Sequence, residues 1–311
     1  MNKTSVEAYA PATIANLGSG FDILGLALGE PGDVVGAEFA DKAGVHIAAI
    51  EGDGGKLPHV AEKNTAGVAA ISLLRLLGET RGVSLRIRKG LPLASGLGSS
   101  SSSAVAAALA VNALLGSPLS REELLPACLD GEAAVSGYHA DNVAPCLFGG
   151  IVLAYGVHAD EIRQLPVPPN LHLALVTPGI EVPTSEARAV LPKTVTLSQM
   201  IHQTAAIARL IDALYRGDVP AVAAAMEADA VIEPARAHLM PRIAEVRAEA
   251  KAAGAHGLII SGAGPTLCAI CSSREAAEAA GSAMHAVYSE ARITAQTQIT
   301  QVSPVGARLL V

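Results

Sequence analysis

Residues 92–103 read PLASGLGSSSSS, and they lie between two segments of regular pattern. Residues 83–89 alternate apolar and polar side chains, as a strand does, and the Ala/Leu-rich run 104–115 predicts a helix. Glycines let a backbone approach phosphate closely, and the free N–H groups and dipole of a helix N-terminus attract it. The stretch therefore predicts a phosphate-binding turn, whose serine hydroxyls could donate to phosphate oxygens or coordinate Mg²⁺.

This stretch differs from three other well-known motifs. A Walker A loop requires a lysine before its final Ser or Thr, and none is present. A dinucleotide-binding fingerprint requires a third glycine after Gly96 and Gly98, where Ser101 stands. The G-x-S-x-G pattern of a hydrolase elbow is also missing. A flexible Ser/Gly linker is disfavoured, because the strand and the helix flank the stretch without a gap.

Two further glycine-rich turns lie far away in the sequence. Residues 18–22 read GSGFD and residues 261–266 read SGAGPT, each next to an apolar run. Either turn alone is a weak signal, because ordinary tight turns look the same. Together with 92–103 they predict one composite site that is assembled from both halves of the chain.

The composition excludes several classes of protein. The chain has 311 residues, of which 50% are hydrophobic and 16% charged, and its net charge is −7. It shows no basic patch of the kind that nucleic-acid binders carry. The apolar block 104–111 is far below the roughly 20 residues that span a bilayer, and no signal-peptide pattern begins the chain. We expect a cytoplasmic protein that binds neither nucleic acid nor membrane.

The four cysteines predict neither a disulfide framework nor a metal site. Cys268 and Cys271 have C-x-x-C spacing, but no second pair accompanies them. They lie in an apolar run that predicts a buried strand, where residues three apart point to opposite faces. We expect all four cysteines, including Cys128 and Cys146, to be core residues of a protein in a reducing compartment.

The motifs together resemble those of the GHMP kinase superfamily, whose members share a loop of the form Pro-x-x-x-Gly-Leu-Gly-Ser-Ser, here 92–100. Within that superfamily the resemblance is to the homoserine kinase family. The segments that carry it are 9–25, 141–146, 178–188, 233–236 and 261–266. They follow the family's order and extend over almost the whole chain.

The resemblance implies an α+β fold with two domains. The N-terminal domain, 1–165, would resemble ribosomal protein S5 domain 2 and bind ATP, and the C-terminal domain, 166–311, would be ferredoxin-like. Residues 165–169, Leu-Pro-Val-Pro-Pro, suit a boundary because clustered prolines favour an extended linker. The predicted order after it is a strand, helices, two strands, a helix and a strand, which fits a split βαβ layout. The resemblance also implies ATP and Mg²⁺ as cofactors, L-homoserine as substrate, a role in threonine biosynthesis and a homodimer.

Nucleotide and metal contacts follow from the same resemblance. It assigns nucleotide binding to Asn64, near the adenine, and to Pro92, Gly96, Leu97, Gly98, Ser99, Ser100, Ser101 and Ser102. Ser100 and Glu132 match the Mg²⁺ ligands. The family usually has alanine among these serines, whereas this chain has five serines in a row, so the metal-binding serine stays open between 99, 100 and 101. Glu132 alone would otherwise be read as a solvated helix residue.

Substrate contacts are assigned by chemistry and by motif position. An arginine fork suits the carboxylate of an amino acid, whereas acidic or amide groups suit its ammonium and hydroxyl. The resemblance assigns these tasks to Asn16, Asp22, His139, Asn142, Thr184, Arg188, Arg236 and Gly262, with Gly264 close by.

Three residues are predicted to take part in catalysis: Asn142, Asp141 and Glu132. Asp141 is a candidate general base, but a loose phosphoryl-transfer transition state asks chiefly for alignment and charge stabilisation. We therefore expect direct in-line attack of the substrate hydroxyl on the γ-phosphate of ATP. The alternatives are a GHMP kinase for another small alcohol, a catalytically silent ligand-binding relative and a purely structural protein.

Overall fold

The N-terminal half builds a strand-rich layer covered by helices. The structure, a computed structural model, describes residues 5–310, so the predicted domain ends at 1 and 311 lie outside the described residues. Its elements are β1 (Ser5–Ala15), β2 (Leu24–Ala40), β3 (Val45–Glu51), α1 (Thr65–Leu77), β4 (Gly82–Arg88), α2 (Ser99–Leu114), α3 (Arg121–Ala133), α4 (Ala140–Phe148), β5 (Ile151–Ala154) and β6 (Ile162–Leu165).

The C-terminal half alternates one further sheet with helices. Its elements are β7 (His172–Pro178), α5 (Thr184–Ala189), α6 (Leu197–Arg216), α7 (Val219–Met226), α8 (Ile232–Arg236), α9 (Ile243–Ala252), β8 (Gly257–Ile260), β9 (Leu267–Cys271), α10 (Arg274–Glu290), β10 (Ala295–Gln301) and β11 (Arg308–Leu310). Every helix within 5–310 is too short or too polar to cross a membrane.

The strands form two sheets. The first has seven strands with the path β11-β1-β2-β4-β3, and β5 joins β2 to β6. The second has the order β10-β7-β9-β8 with antiparallel neighbours, which is the order of a ferredoxin-like split βαβ unit. The predicted α+β fold with two domains is confirmed. The exact boundary near residue 165 stays a prediction, and β11 returns from the C-terminal half to pair with β1.

The sequence signals place most elements correctly and miss some ends. Strand β1 runs through Pro11 to Ala15, and Pro11 lies opposite Gly32 where the pairing with β2 is irregular. The helix after the phosphate loop begins at Ser99 rather than near Ala104, since buried partners satisfy the hydroxyls of Ser101, Ser102 and Ser103.

The paired cysteines of β9 lie in the core, as their alternation predicts. Cys268 packs in the cluster between the two sheets, whereas Cys271 packs in the cluster under α9 and α10. Both side chains are fully buried, and burial raises the pKa of the Cys271 thiol to about 11. The two thiols therefore face opposite sides of the sheet and cannot share a metal ion.

Candidate active site

The three glycine-rich turns meet in one cleft between the two halves of the chain. The Ser261 hydroxyl donates to the Gly96 carbonyl oxygen at 2.7 Å, and the Gly262 N–H donates to the Ala15 carbonyl oxygen at 3.3 Å. A Cβ on Gly96 would lie 2.3 Å from the Ser261 carbonyl oxygen, so only glycine allows this close approach. The turns enclose a cavity of about 380 Å³.

The cavity is lined by most of the predicted site residues. Those that line it are Asn16, Asp22, Asn64, Gly96, Gly98, Ser99, Ser100, Glu132, His139, Asp141, Asn142, Thr184, Arg188, Arg236 and Gly262. Four of the predicted nucleotide contacts do not line this cavity. Pro92 lines a second cavity, Leu97 is buried, and the hydroxyls of Ser101 and Ser102 are bound within the N-terminal half.

The N-terminus of α2 points into this cleft. Gly98 precedes the helix in a left-handed conformation with φ 64°, and a Cβ there would lie 2.0 Å from Thr13 Oγ1. The Thr13 N–H donates to the Leu97 carbonyl oxygen at 3.1 Å, which ties the turn to β1. The first N–H groups of a helix lack intrahelical acceptors, so this end of α2 offers donors and a positive dipole to an anion.

The serines of α2 divide into two sets. Ser99 and Ser100 line the cavity, and the Ser99 hydroxyl is buried without a hydrogen-bond partner in the part of the chain that the structure describes. Ser101 donates to the Glu132 carboxylate at 2.8 Å, and Ser102 donates to the Ala10 carbonyl oxygen at 2.7 Å. Helix phase therefore turns Ser101 and Ser102 into the protein and leaves Ser99 and Ser100 beside the cleft. Ser103 also borders the cavity, but its hydroxyl donates to the Asp33 carboxylate at 2.7 Å.

Glu132 provides a buried carboxylate next to the phosphate turn. Its residue is 3% exposed, and its hydrogen-bond partner is the Ser101 hydroxyl. No three His, Cys, Asp or Glu side chains within 5–310 cluster as a ready metal site. Mg²⁺ often binds through one or two protein oxygens together with phosphate oxygens and water. The buried Glu132 carboxylate beside serine hydroxyls fits that requirement.

Sequence reasoning missed Lys89, which lies beneath the same turn. The Lys89 side chain is 2% exposed, and its ammonium pairs with the buried Asp33 carboxylate. The ammonium also donates to the Ser99 carbonyl oxygen at 2.9 Å and to Ser103 Oγ at 2.7 Å. The lysine therefore anchors the first turn of α2 to the strand that precedes it. Its signal was a single lysine at the end of an alternating strand, which resembles an ordinary solvated strand end.

Asn142 and Asp141 begin α4 at the floor of the cleft. Thr13 Oγ1 donates to Asn142 Oδ1 at 2.7 Å, which leaves the amide NH₂ group of Asn142 as the end that is free to donate. The pKa of the Asp141 carboxyl is raised to about 7, chiefly by burial and also by the nearby Asp22 and Glu132 carboxylates, whereas the charge of Arg188 lowers it. Thr13 was not predicted, because a threonine inside a strand gives no sign of its distant partner.

The opposite end of the cleft carries paired charges. Arg188 binds Asp22 through two hydrogen bonds of 2.8 and 3.1 Å, and His139 Nδ1 lies 3.7 Å from the same carboxylate. Burial tends to lower the pKa of the Arg188 guanidinium, but the hydrogen bond with Asp22 and the charges of Asp22 and Asp141 together outweigh burial and raise the pKa. Arg188 Nε is buried and without a hydrogen-bond partner among the described residues, so one donor remains for a ligand.

Arg236 is the second arginine of this end and is 3% exposed. Its guanidinium donates to the carbonyl oxygens of Ala187 and Gly262, each at 3.0 Å. Burial and the charge of Arg188 lower the pKa of Arg236 to about 10, so it stays positive at neutral pH. The ring of Phe21, a residue that sequence reasoning missed, has its centroid 5.2 Å from the Arg236 guanidinium and 5.5 Å from that of Arg188.

Comparisons with known proteins match this chain along nearly its whole length. The family models described as GHMP kinases N terminal domain and GHMP kinases C terminal match residues 64–150 and 210–290. A curated homoserine kinase of Chloroherpeton thalassium is 40% identical over 317 residues, which cover 98% of this chain and 99% of the relative. One of Xylella fastidiosa is 42% identical over 304 residues, or 97% and 93% of the two chains.

Solved structures agree with these relatives. The crystal structure of homoserine kinase from Cytophaga hutchinsonii superposes with a TM-score of 0.95 at 40% identity, covering 100% of this chain and 98% of that one. The structure of L. major mevalonate kinase in complex with R-mevalonate gives a TM-score of 0.74 at 18% identity, covering 97% and 99%, and so is similar in fold.

Proposed function

The chain belongs to the GHMP kinase family and, within it, to the homoserine kinases, and from this premise we propose that its cleft transfers the γ-phosphoryl group of ATP directly to the side-chain hydroxyl of L-homoserine. The observation that carries the proposal is that one cavity has two chemically different ends. The helix N-terminus at one end suits phosphates, and the Asp22, Arg188 and Arg236 side chains at the other end suit an α-amino acid.

The phosphate end would hold ATP through backbone donors. The amides of the first turn of α2 and the hydroxyls of Ser99 and Ser100 would bind the phosphate oxygens, and Asn64 would lie near the adenine. Glu132 and Ser100 would hold Mg²⁺, with Ser99 as the alternative serine. When bound, the ion neutralises phosphate charge during transfer.

The amino-acid end would bind both charged groups of homoserine. Arg236 and Arg188 offer their forks to the carboxylate, and Asp22 offers an acceptor to the ammonium. Asp22 and Arg188 already bind one another, so the substrate would insert its own charges into an existing pair. This arrangement favours an α-amino acid over an uncharged alcohol, because an alcohol would leave the buried Arg236 without a carboxylate.

Alignment rather than base catalysis would drive the transfer. The homoserine hydroxyl oxygen forms a bond to the γ-phosphorus while the bond from that phosphorus to the bridging oxygen of ADP breaks. The hydroxyl proton passes to a phosphoryl oxygen and then to solvent. Asn142, whose amide NH₂ group is free to donate, would stabilise the transferred group, and Asp141 would remain a neighbouring carboxyl rather than the base.

The cellular setting follows from the same proposal. The product, O-phospho-L-homoserine, is an intermediate of threonine biosynthesis, and we infer that the protein acts in the cytoplasm. The homodimer implied by the family resemblance also belongs to this proposal.

A coupled assay of ADP release tests the function. ATP and Mg²⁺ are supplied with L-homoserine, L-serine, L-threonine, mevalonate or galactose in separate reactions. Turnover with homoserine alone supports the proposal, whereas turnover with another alcohol replaces the substrate. No ADP from any of them favours a silent ligand-binding relative.

Removing Mg²⁺ with EDTA should abolish turnover, and Glu132→Gln should raise the Mg²⁺ concentration needed for half-maximal rate by about tenfold.

A further inference from the structure

A glutamine outside the cleft joins the two segments that carry the substrate-binding charges. Gln203 lies on α6, and its amide nitrogen donates to the Ser19 carbonyl oxygen at 2.9 Å and to the Asp229 carboxylate at 3.1 Å. Its amide oxygen accepts from the Ala230 N–H at 3.2 Å. Both ends of one side-chain amide are therefore used, and neither reaches the cavity.

Asp229 fixes the start of the helix that presents Arg236. Its carboxylate accepts from the N–H groups of Val231, Ile232 and Glu233 at 2.7–3.0 Å. Helix α8 has five residues, which is too short for stability by itself, and Arg236 is its last residue. The direction of the Arg236 side chain thus depends on the carboxylate that caps the helix.

The other segment, 16–22, carries Asn16 and Asp22 on either side of Ser19. The Ser19 N–H donates to the Met226 carbonyl oxygen at 3.2 Å, and a Cβ on Gly18 would lie 2.0 Å from that same oxygen. The segment is therefore pressed against the end of α7. Gln203 is the side chain that links this segment to the cap of α8.

The same two segments converge again beside the cavity. Asn16 Nδ2 and Arg236 Nη1 donate to one acceptor, the Gly262 carbonyl oxygen, at 2.9 and 3.0 Å. Asn16 Oδ1 accepts from the Asp22 N–H at 3.1 Å. The two segments are thus joined beside the cavity by hydrogen bonds to Gly262 and away from the cavity by hydrogen bonds to Gln203. These two sets of contacts fix the distance between the segments.

We propose that Gln203 and Asp229 are positioning residues that set the spacing between Asp22 and Arg236, and so the fit of the ammonium and carboxylate of the amino acid. The inference rests on the proposed function of the cleft. Both charged groups of an α-amino acid are attached to one carbon, so a small change in that spacing prevents both from being bound at once. A misplacement of about 1 Å in a binding site can cost two orders of magnitude in rate.

The first test replaces Gln203 with leucine, which keeps the bulk and removes all three hydrogen bonds. The KM for L-homoserine should rise about tenfold, whereas kcat should stay within about threefold and the KM for ATP within about twofold. The matched control is His202→Ala. His202 lies on the same turn of α6 and contacts the Ala228 carbonyl oxygen at 3.0 Å, but it does not reach segment 16–22. This control should leave the KM for homoserine unchanged.

The second test uses Gln203→Glu, which gives a pH signature that a merely structural role would not produce. An ionised glutamate at position 203 cannot donate to the Ser19 carbonyl oxygen, and it is repelled by the Asp229 carboxylate. This repulsion raises the pKa of the glutamate introduced at position 203. The protonated acid can donate again and can still accept from the Ala230 N–H. Relative to Gln203→Leu, the homoserine KM of Gln203→Glu should fall as the pH drops from about 8 to about 6.

Calorimetric binding of L-homoserine, with melting temperatures for all variants, separates the possible failures. A folded Gln203→Leu variant whose homoserine Kd and KM equal those of the unmodified protein overturns the positioning role and leaves the function intact. Equal losses in Gln203→Leu and His202→Ala overturn it as well, because they indicate a general anchoring of α6. If the unmodified protein binds no homoserine, the proposed function and this inference fail together.

Discussion

Under the proposed function, the two ends of the cleft would recognise charge by different means. The phosphate end would rely on backbone N–H groups of α2 and on glycine turns packed so closely that a Cβ on Gly98 would overlap Thr13. The amino-acid end would rely on side-chain charges, two of which, Asp22 and Arg188, already bind each other. The charged side chains next to the phosphate turn, Glu132 and Lys89, are almost fully buried, whereas the side chains of Asp22 and Arg188 are 24% and 32% exposed.

This difference predicts different responses to mutation. A side chain cannot take the place of the backbone N–H donors of the phosphate turn. A distortion of that turn should therefore abolish turnover of both substrates. Side-chain charges act through graded electrostatic and hydrogen-bond energies, so losing one should mainly weaken binding of one substrate. Four variants test this contrast between the two ends.

The largest effect is expected from Gly98→Ala. The added Cβ would clash with Thr13 Oγ1 and would stand at a left-handed φ, so kcat/KM should fall about 10³-fold for both substrates. Steady-state kinetics and thermal unfolding measure the two effects separately.

The matched control for that variant is Gly54→Ala. Gly54 has the same φ of 64°, but open space surrounds its Cβ position. Each alanine should cost about 1–2 kcal/mol of stability through its backbone conformation, and only Gly98→Ala should lose activity. Similar activities of the two variants would show that the close packing of the turn does not matter.

The next largest effect is expected from Arg188→Ala. The KM for homoserine should rise about 100-fold with little change in the KM for ATP, because the variant loses one fork for the carboxylate. Arg188→Lys should be intermediate, since it keeps the charge without the planar fork. An equal rise in both KM values would contradict the division of the cleft into two ends.

A smaller effect is expected from Thr13→Val, which removes the donor to Asn142 Oδ1 and keeps the side-chain shape. The Asn142 amide could then rotate, and kcat should fall about tenfold with a small change in either KM. Thr13→Ser retains the hydroxyl and should restore most of the rate. A Thr13→Val enzyme with full kcat would exclude a role for amide orientation.

The smallest effect on activity is expected from Asp141→Asn, whose kcat should stay within about tenfold of the original if no base is needed. A loss of several orders of magnitude with unchanged substrate binding would instead identify Asp141 as the base. The rate is measured from pH 5 to 9, since an essential base would also impose a rise near the Asp141 pKa of about 7.

The same variant has a stability signature. Because folding raises the Asp141 pKa from 3.8 to about 7, the folded state retains a proton that the unfolded state has released between these values. Stability of the original protein should therefore fall as the pH rises through this interval. Asp141→Asn removes the contribution, so its melting temperature relative to the original should be higher at pH 8 than at pH 5, as thermal scans at both pH values would measure. If the difference in melting temperature between Asp141→Asn and the original protein is the same at every pH, the raised pKa of Asp141 is contradicted.

Much of the site could be predicted from short motifs. The glycines before α2 predict a phosphate-binding turn, because the backbone freedom that they provide depends only on the glycines themselves. Motif position predicted Asp22, Arg188 and Arg236. The direction of each hydroxyl could not be predicted in this way. Ser101 and Ser102 were expected to bind phosphate, but their hydroxyls donate to Glu132 and to a β1 carbonyl oxygen, because helix phase and the neighbouring elements decide where they point.

The fold class, the family and the three turns could be inferred from the order of amino acids alone, because hydrophobic period, glycine spacing and long motifs act over a few residues. The pairings within the candidate site depend instead on how distant segments pack together. Thr13 and Asn142 are 129 residues apart, Asp22 and Arg188 are 166 apart, and Ser19 and Gln203 are 184 apart. Each contact depends on how the two sheets and their helices pack, which no local preference specifies.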